Sequence, residues 1–380
     1  MNKKPVKLLS LFSGIGAYEQ AFKNKGYEID LVGFSEINKY AAQSYRNIYG
    51  VSEDKCLGDI TKIDISSLPT DIDSITHGSP CTSFSISGKQ AGGDKGSGTP
   101  SSLMWYTVDI VEHCKPKVVI WENVKNVLSK KHKHNFDGYL EDMDKLGYSN
   151  YYQVLNAKDY GIPQNRERIF VVSIRKDIDK GYVFPEPQEL ALRLKDMLED
   201  EVDEKYYINT CKTQQLLQNI DGKLDLNKQV IGTCHKKNDL SHSTRDLVYN
   251  AEKNAPTLNA TMYKDPIKVL MPIKTENKIN VLGNYLPSNH NSSRVVDVNG
   301  ICPTVMEHHG TVTGVVVSKD NEYRIRKLTP RECWRLMGFT DEQFDKATEV
   351  CSNTQLYKQA GNSIVVNVLE AIIDNLKEIL

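Results

Sequence analysis

At 380 residues the chain is too long for one small core and suits one large domain with a smaller companion. Hydrophobic residues at 39% and charged residues at 26% are ordinary for a soluble globular protein, and a net charge of −1 excludes a global basic field, so a nucleic-acid partner needs a local basic surface. The eight cysteines form no C-x-x-C pair and no Cys/His cluster with zinc spacing, which points to a reduced, cytoplasmic protein without structural metal.

The opening "MNKKPVKLLSLFSGIG" has too short an apolar part, broken by glycine, for a signal peptide or a membrane span, and reads as a first strand. "VKLLSLF" (6–12), "IDLVGFSE" (29–36), "DSITHGS" (73–79), "KVVIWENV" (117–124) and "RIFVVSIR" (168–175) are predicted buried strands. "AYEQAFKNKG", "NKYAAQSYRNIYG", "SLMWYTVDIVEHC" and "FDGYLEDMDKLG" carry helical periodicity between them, several ending in Gly. This alternation predicts an α/β fold with a mostly parallel sheet and helices on both faces. "KKHKH" (130–134) reads as a solvated helix end rather than a metal site. From 176 to 325 the alternation fades into irregular loops and short strands, a smaller β-rich domain set between 1–175 and 326–380. Within it "LVYNAEKNAPTLNAT" (247–261) and "RVVDVNGICPTVMEH" (294–308) share a V-x-x-x-x-x-x-x-P-T-[LV] frame at a spacing of 47, which fits two similar turn units or a duplicated recognition element. "TPRECWRLMGF" (329–339) predicts a helix capped by Thr329 with Pro330 in its first turn, and "VVNVLEAIIDNLKEIL" (365–380) an amphipathic closing helix.

Ligands in such sheets sit beyond the carboxyl ends of the strands, so the residues just after each strand carry the functional signal. The first strand is followed by Phe12, Gly14 and Gly16, where glycines admit a close ligand without forming a pyrophosphate cradle. Glu36 follows the second, placed to accept ribose hydroxyls, and Asp59 in "GDIT" can accept from an adenine amino group. A nucleoside cofactor without a phosphate clamp suggests S-adenosylmethionine. "SPC" brings Cys81 to a strand end ahead of "SGKQAGGDKGSG", whose five glycines between 88 and 98 predict a mobile loop. Glu122 ends an apolar run, where burial raises a carboxyl pKa toward neutrality. Arg166 and Arg168 lie two apart, on one face if extended, and supply positive potential. A thiolate, a carboxylic acid and a methyl donor on one rim are the minimum set for methylating a pyrimidine ring carbon. Thiolate addition at C6 makes C5 nucleophilic, and protonation at N3 stabilises the developing charge.

The motifs "LFSGIGAYEQAF", "SEINKYA", "GDIT", "GSPCTSFSISGKQ", "WENVKNVL", "QNRERIF", "RKLTPRECWRLMGF" and "QAGNSIVVNVLEAI" stand in the order found in DNA (cytosine-5)-methyltransferases. The chain resembles the prokaryotic restriction–modification type of that family through almost its whole length. The resemblance implies the Rossmann-like fold of S-adenosylmethionine-dependent methyltransferases, and S-adenosylhomocysteine as product. It implies a cofactor site of Phe12, Ser13, Gly14, Gly16, Glu36, Ile37, Asp59, Ile60, Pro80, Leu103, Asn362 and Ser363. It makes Cys81 the nucleophile and Glu122 the acid, with Asn123 ordering the turn and Arg166 and Arg168 against the target cytosine. The loop 83–98 is then expected to close on DNA, with Ser85, Ser87, Lys89 and Gln90 toward it. Residues 176–325 correspond to the target-recognition domain, where Thr304–Val305 match a Thr-aliphatic pair of the family and Thr257–Leu258 compete for the assignment. Thr82 departs from a frequent Gln, and neither side chain does the chemistry. The implied partner is double-stranded DNA, met by a monomer, with a cognate restriction endonuclease as a possible separate companion.

Rival readings have weaker support. RNA-methylating relatives carry a Cys-Phe-Thr signature that is missing here, and a silent DNA-binding partner is disfavoured by intact Cys81 and Glu122. Amino-methylating enzymes show [DNS]-P-P-[YFW] where this chain has Ser79-Pro80-Cys81. A thiol hydrolase needs a histidine base, and His77, alone on a strand, suits the core better.

Overall fold

The computed structural model describes residues 4–86, 89–206 and 323–380 continuously. Between 207 and 322 it describes 229–233, 247–251, 253–258, 260, 267–272, 281–284, 294–297 and 314–316. Two compact units result, one of 1–201, 252–266 and 328–380, the other of 202–251 and 267–327. Residues 176–201 and 252–266, which the sequence assigns to the smaller domain, therefore group with the first unit, and 326–327 with the second.

The first unit is built on a six-stranded sheet of β1 (Val6–Leu11), β2 (Ile29–Ser35), β3 (Ser74–His77), β4 (Val118–Val124), β5 (Tyr148–Asn156) and β7 (Glu167–Arg175), in the order β2-β1-β3-β4-β7-β5. The pairs β1–β2, β1–β3 and β3–β4 are parallel. β7 runs antiparallel to both its neighbours, filling the gap between β4 and β5. All five predicted strands are present. β5 is the addition, and its sequence explains why: "YSNYYQVLN" is a half-exposed edge strand without an apolar run.

Helices α1 (Ala17–Asn24), α2 (Lys39–Tyr49), α3 (Met104–Cys114) and α4 (Lys133–Lys145) fall where the periodicity predicts. Side chains of both parities along β4, Val118 to Trp121, are fully buried, so the sheet is covered on both faces. Leu9, Leu11, Ile75, Trp121 and Val171 pack with Trp105, Ile110, Tyr139 and Met143 of α3 and α4 in the main core. α5 (Pro330–Arg335) starts at a Thr329–Glu332 capping box with Pro330 at its first position, as read from the sequence. α6 (Asp341–Thr348) and α7 (Asn353–Asn362) follow, and α8 (Val366–Asp374) returns to α1 through Asn24–Glu370 and Lys25–Asp374 contacts of 2.5 Å. A short parallel pairing of β6 (Gln164–Asn165) with β10 (Ala255–Pro256) fastens residues 255–258 to the strand ahead of β7.

The second unit holds a sheet ordered β15-β11-β9-β8, from β8 (Val230–Thr233), β9 (Leu247–Asn250), β11 (Lys268–Pro272) and β15 (Tyr323–Lys327). It also holds a three-stranded sheet of β12 (Val281–Asn284), β13 (Arg294–Asp297) and β14 (Gly314–Val316). No described helix is long and apolar enough to cross a membrane.

Candidate active site

The turn after β3 is held by its neighbour strand. Asn123 Nδ2 at the end of β4 donates to the Ser79 carbonyl at 3.1 Å, and Trp121 Nε1 donates to Ser79 Oγ at 3.0 Å. Ser101 Oγ donates to the Pro80 carbonyl at 2.7 Å and accepts from Ser83 N–H at 3.1 Å. The Cys81 carbonyl accepts from the N–H groups of Phe84 and Ser85. Cys81 thus sits half-buried at the head of a tight turn fixed from three sides.

Glu122 lies on β4 at the same level. Its carboxylate is nearly buried, and Oε1 meets Arg168 Nε at 3.0 Å. The register accounts for the pairing: Val124 opposes Arg168 and Glu122 opposes Phe170, so Arg168 is the diagonal neighbour of Glu122. Arg168 begins an antiparallel strand, which is how the start of β7 reaches the rim where β4 ends. At Gly78 a Cβ would press on Ile364 Cδ1 at 3.3 Å and meet Glu122 Oε2 at an ordinary contact distance of 3.7 Å.

Burial pushes the Glu122 carboxyl above the usual range, with Arg168 and Arg166 pulling the other way. Burial likewise raises the Cys81 thiol, and the Glu122 charge raises it further, while the two arginines lower it. The four groups therefore form one electrostatic unit.

Arg166 and Arg168, expected together against one ligand, take different surroundings. Arg166 is buried, and its guanidinium donates to the carbonyls of Leu258 at 2.7 Å, Ser363 at 2.7 Å and Gly361 at 3.3 Å. Burial presses its pKa down to about 9, which keeps it charged near neutrality. Thr257 Oγ1 donates to the Asn165 carbonyl at 2.5 Å, and Leu258 N–H donates to Gln164 Oε1 at 3.0 Å. Beside these contacts opens a cleft of about 760 Å³ lined by Ser85, Ile86, Asn126, Asn165, Arg168 and Thr257 among others.

On the neighbouring rim, Ser13 N–H donates to the Ser35 carbonyl, and Glu36 accepts from Gly14 N–H at 2.9 Å and Asn38 N–H at 2.7 Å. Phe12 takes φ 53°, rare for a non-glycine residue. Gly16 has φ 82°, and a Cβ there would fall 2.3 Å from the Tyr49 ring. Ile37 is 76% exposed next to the fixed Glu36 carboxylate. Asp59 uses Oδ1 to cap the Ile60–Lys62 turn, with Ile60 buried below it. Phe12, Leu103 and Ile60 join the core that Trp121 occupies. Asn362 is exposed and Ser363 buried at the end of α7.

A profile of the C-5 cytosine-specific DNA methylases matches residues 6–378. The chain belongs to this family. The methylase is 34% identical to the orphan methyltransferase M.SPBetaI of Bacillus phage SPbeta, over 98% of this chain and 97% of that one. It is 36% identical to the type II methyltransferase M2.ScrFI of Lactococcus lactis subsp. cremoris, over 93% and 80%. Its fold is similar to the Dnmt2 methyltransferase of S. pombe (TM-score 0.59, 17% identity, 98% of each chain) and to EhMeth of Entamoeba histolytica (TM-score 0.62, 16% identity, 98% of each chain). The methylase modifies carbon 5 of cytosine in DNA, and its family depends on S-adenosylmethionine.

The described part of the loop after Cys81 is tied back to its surroundings. Trp105 Nε1 donates to the Gly93 carbonyl at 2.8 Å, Thr99 Oγ1 donates to the Gly92 carbonyl at 2.8 Å, and His134 pairs with Asp94 at 2.6 Å. Ser85 lines the cleft, Lys89 is exposed and Gln90 takes φ 51°. Ser87 and Thr304 lie outside the described residues. Sequence reasoning gave no role to Gln164, Asn165 or Ile364; the one trace of their partners was the P-T-L frame at 256–258.

Proposed function

We propose that this methylase transfers a methyl group from S-adenosylmethionine to C5 of a flipped-out cytosine within a short double-stranded DNA sequence, through a covalent bond between Cys81 and C6. The reading rests above all on the Glu122–Arg168 pair, 3.0 Å apart on the rim where the Cys81 turn begins.

The rim residues suit the cofactor. Glu36 is fixed by two backbone donors, Gly14 has open space where a Cβ would be, and Ile37 offers an exposed apolar surface to an adenine ring. Phe12, Ser13, Gly16, Asp59, Ile60, Pro80, Leu103, Asn362 and Ser363 complete that site. When bound, S-adenosylmethionine supplies an electrophilic methyl group. Cys81 Sγ adds to C6 as a thiolate, and Glu122 in its acid form delivers a proton to N3. A protonated Glu122 also withdraws the charge that raises the thiol pKa. One proton held on Glu122 thus prepares both partners. Arg168 stays against the Glu122 carboxylate as it becomes anionic, and loss of the C5 proton later expels Sγ and restores the ring. Attack and methylation take opposite faces of the ring, so the base must leave the stack. Ser85, Lys89 and Gln90 meet the DNA from the Cys81 loop, while Arg166 positions the segments around the base. Residues 176–325 supply target recognition.

Incubation with 5-fluorocytosine-substituted DNA and S-adenosylmethionine tests the proposal. The wild type is expected to give an adduct that survives denaturing electrophoresis, and Cys81→Ala none. Full methylation by Cys81→Ala would overturn it.

A further inference from the structure

With a net charge of −1, the methylase has no global field to attract a polyanion, so whatever holds DNA must be a local basic surface. "KKHKH" at 130–134 is the densest basic run in the chain. In the sequence it reads as a solvated helix end, and four of its five side chains are indeed exposed. His132 is the exception. It is 1% exposed, and neither ring nitrogen has a hydrogen-bond partner among the described residues.

His132 ties the run to the Cys81 loop. Its ring meets Phe84 edge-on, with centroids 5.3 Å apart and planes at 67°, and its Nδ1 lies beside Gly92. Gly92 N–H donates to the Ser83 carbonyl, and Asn126 Nδ2 donates to the Phe84 carbonyl at 2.6 Å. The N–H groups of His132 and Lys133 both donate to the Ser129 carbonyl, at 2.9 and 2.8 Å, which turns the chain just past the cleft wall. That wall includes Lys125, Asn126, Leu128 and Ser129, so Lys130 and Lys131 emerge at the edge of the cleft.

The charges on this edge run against local stability. α4 starts at Lys133 with no acidic residue in its first turn and no side-chain cap. Cations at a helix N-terminus oppose its dipole, and Asp or Glu is the residue that suits such a position. Some neighbours are neutralised: Lys125 pairs with Glu167 at 3.1 Å, Lys133 with Asp137 at 2.6 Å and His134 with Asp94 at 2.6 Å. Lys130 and Lys131 are exposed, and neither ammonium has an ion-pair partner among the described residues. Two uncompensated cations beside a helix N-terminus, at the mouth of the cleft, break a local rule where an anionic ligand would repair it.

We propose that Lys130 and Lys131 form a phosphate-binding edge that holds the backbone of duplex DNA beside the cleft, extending the basic surface begun by Lys89 on the loop. The inference rests on the function proposed above. A lysine ammonium is a flexible point charge without the planar fork that reads base edges, so this edge adds affinity for every sequence and specificity for none. Each phosphate neutralised releases condensed counterions, which makes the contribution visible in the salt dependence of binding.

The test measures binding of the full chain to poly(dA-dT) duplex, which holds no cytosine, and to bacterial genomic DNA, between about 50 and 200 mM salt. In the Lys130→Gln/Lys131→Gln double variant the slope of log K against log salt is expected to become shallower by about 1–2 on both DNAs. Its melting midpoint is expected at or above that of the wild type, because like charge leaves a helix N-terminus. The Lys176→Gln/Lys180→Gln pair makes the same change of net charge beyond the far end of β7, which runs antiparallel to β4 and away from the cleft. Its salt slope is expected to match that of the wild type. An unchanged slope in the first variant, or equal shallowing in both, would overturn the proposal and leave methyl transfer standing. A wild type that binds both DNAs but leaves no 5-methylcytosine would instead overturn the function on which the proposal rests.

Discussion

Arg168 Nε and Glu122 Oε1 meet at 3.0 Å across two antiparallel strands, and the same guanidinium lowers the pKa of both Glu122 and Cys81. Arg168→Gln removes that charge, so both pKa values rise. The proposed reaction needs Glu122 protonated and Cys81 ionised, so both limbs of the pH profile are expected to move to higher pH, with a rate loss of about 10²-fold. Single-turnover rates of adduct formation between about pH 5.5 and 9.5 measure this. A profile that stays in place, or moves to acid, would contradict the shared-charge account.

Arg166 and Arg168 are expected to fail differently. Arg166 spreads its guanidinium over three carbonyls, a geometry that a lysine ammonium cannot reproduce. Arg166→Lys leaves buried acceptors unpaired and costs about 2–4 kcal/mol of stability. Arg168→Lys costs under about 1 kcal/mol, because its site is at the cleft. Urea midpoints of the two variants decide it, and equal losses would remove the distinction.

Gly78→Ala places a methyl group 3.3 Å from Ile364 Cδ1 and 3.7 Å from Glu122 Oε2. Ile364 must give by a few tenths of an ångström, next to a carboxylate at ordinary contact distance, and its shift is what would reach Glu122. The expected result is a kcat about tenfold lower with stability within about 1 kcal/mol of wild type. Steady-state kinetics beside thermal melting would show the split; unchanged kcat would mean that the carboxylate tolerates the methyl.

His77 is fully buried, its Nε2 3.1 Å from the Tyr139 hydroxyl and its ring parallel to Trp121, and burial lowers its pKa to about 3. A folded-state pKa below the unfolded value of about 6.5 gives stability that is complete above 6.5 and is lost as pH falls toward 3. Between about pH 7.5 and 5.5 the loss from this group is about 1.4 kcal/mol. His77→Phe starts less stable but escapes that loss, so the gap between the two proteins narrows on acidification. Denaturant titrations at the two pH values report it; a constant gap would place the acid sensitivity elsewhere.

The parallel half of the sheet was legible because each strand is an apolar run followed at once by its motif: "VKLLSLF" then Gly14, "KVVIWENV" holding Glu122. β5 was not, since an edge strand with an exposed Tyr152 has no apolar signature. The antiparallel insertion of β7 was hidden for a related reason, because strand direction is set by partners and not by the strand's own composition. Arg166 stood in a recognisable motif, yet its surroundings depend on carbonyls at 258, 361 and 363, which no local pattern connects. The repeat was visible as a frame, but the matching register of the β8–β9 and β12–β13 pairs was not.

Those distant carbonyls bear on how the enzyme comes into being. Cys81 and Glu122 are synthesised well before Gly361 and Ser363. A nascent polypeptide that has emerged only through residue 325 holds Cys81 and Glu122 but leaves Arg166 without two of its anchors. Arg166 is therefore expected to gain its full set of buried acceptors only once residues 361–363 have been made and folded back onto it.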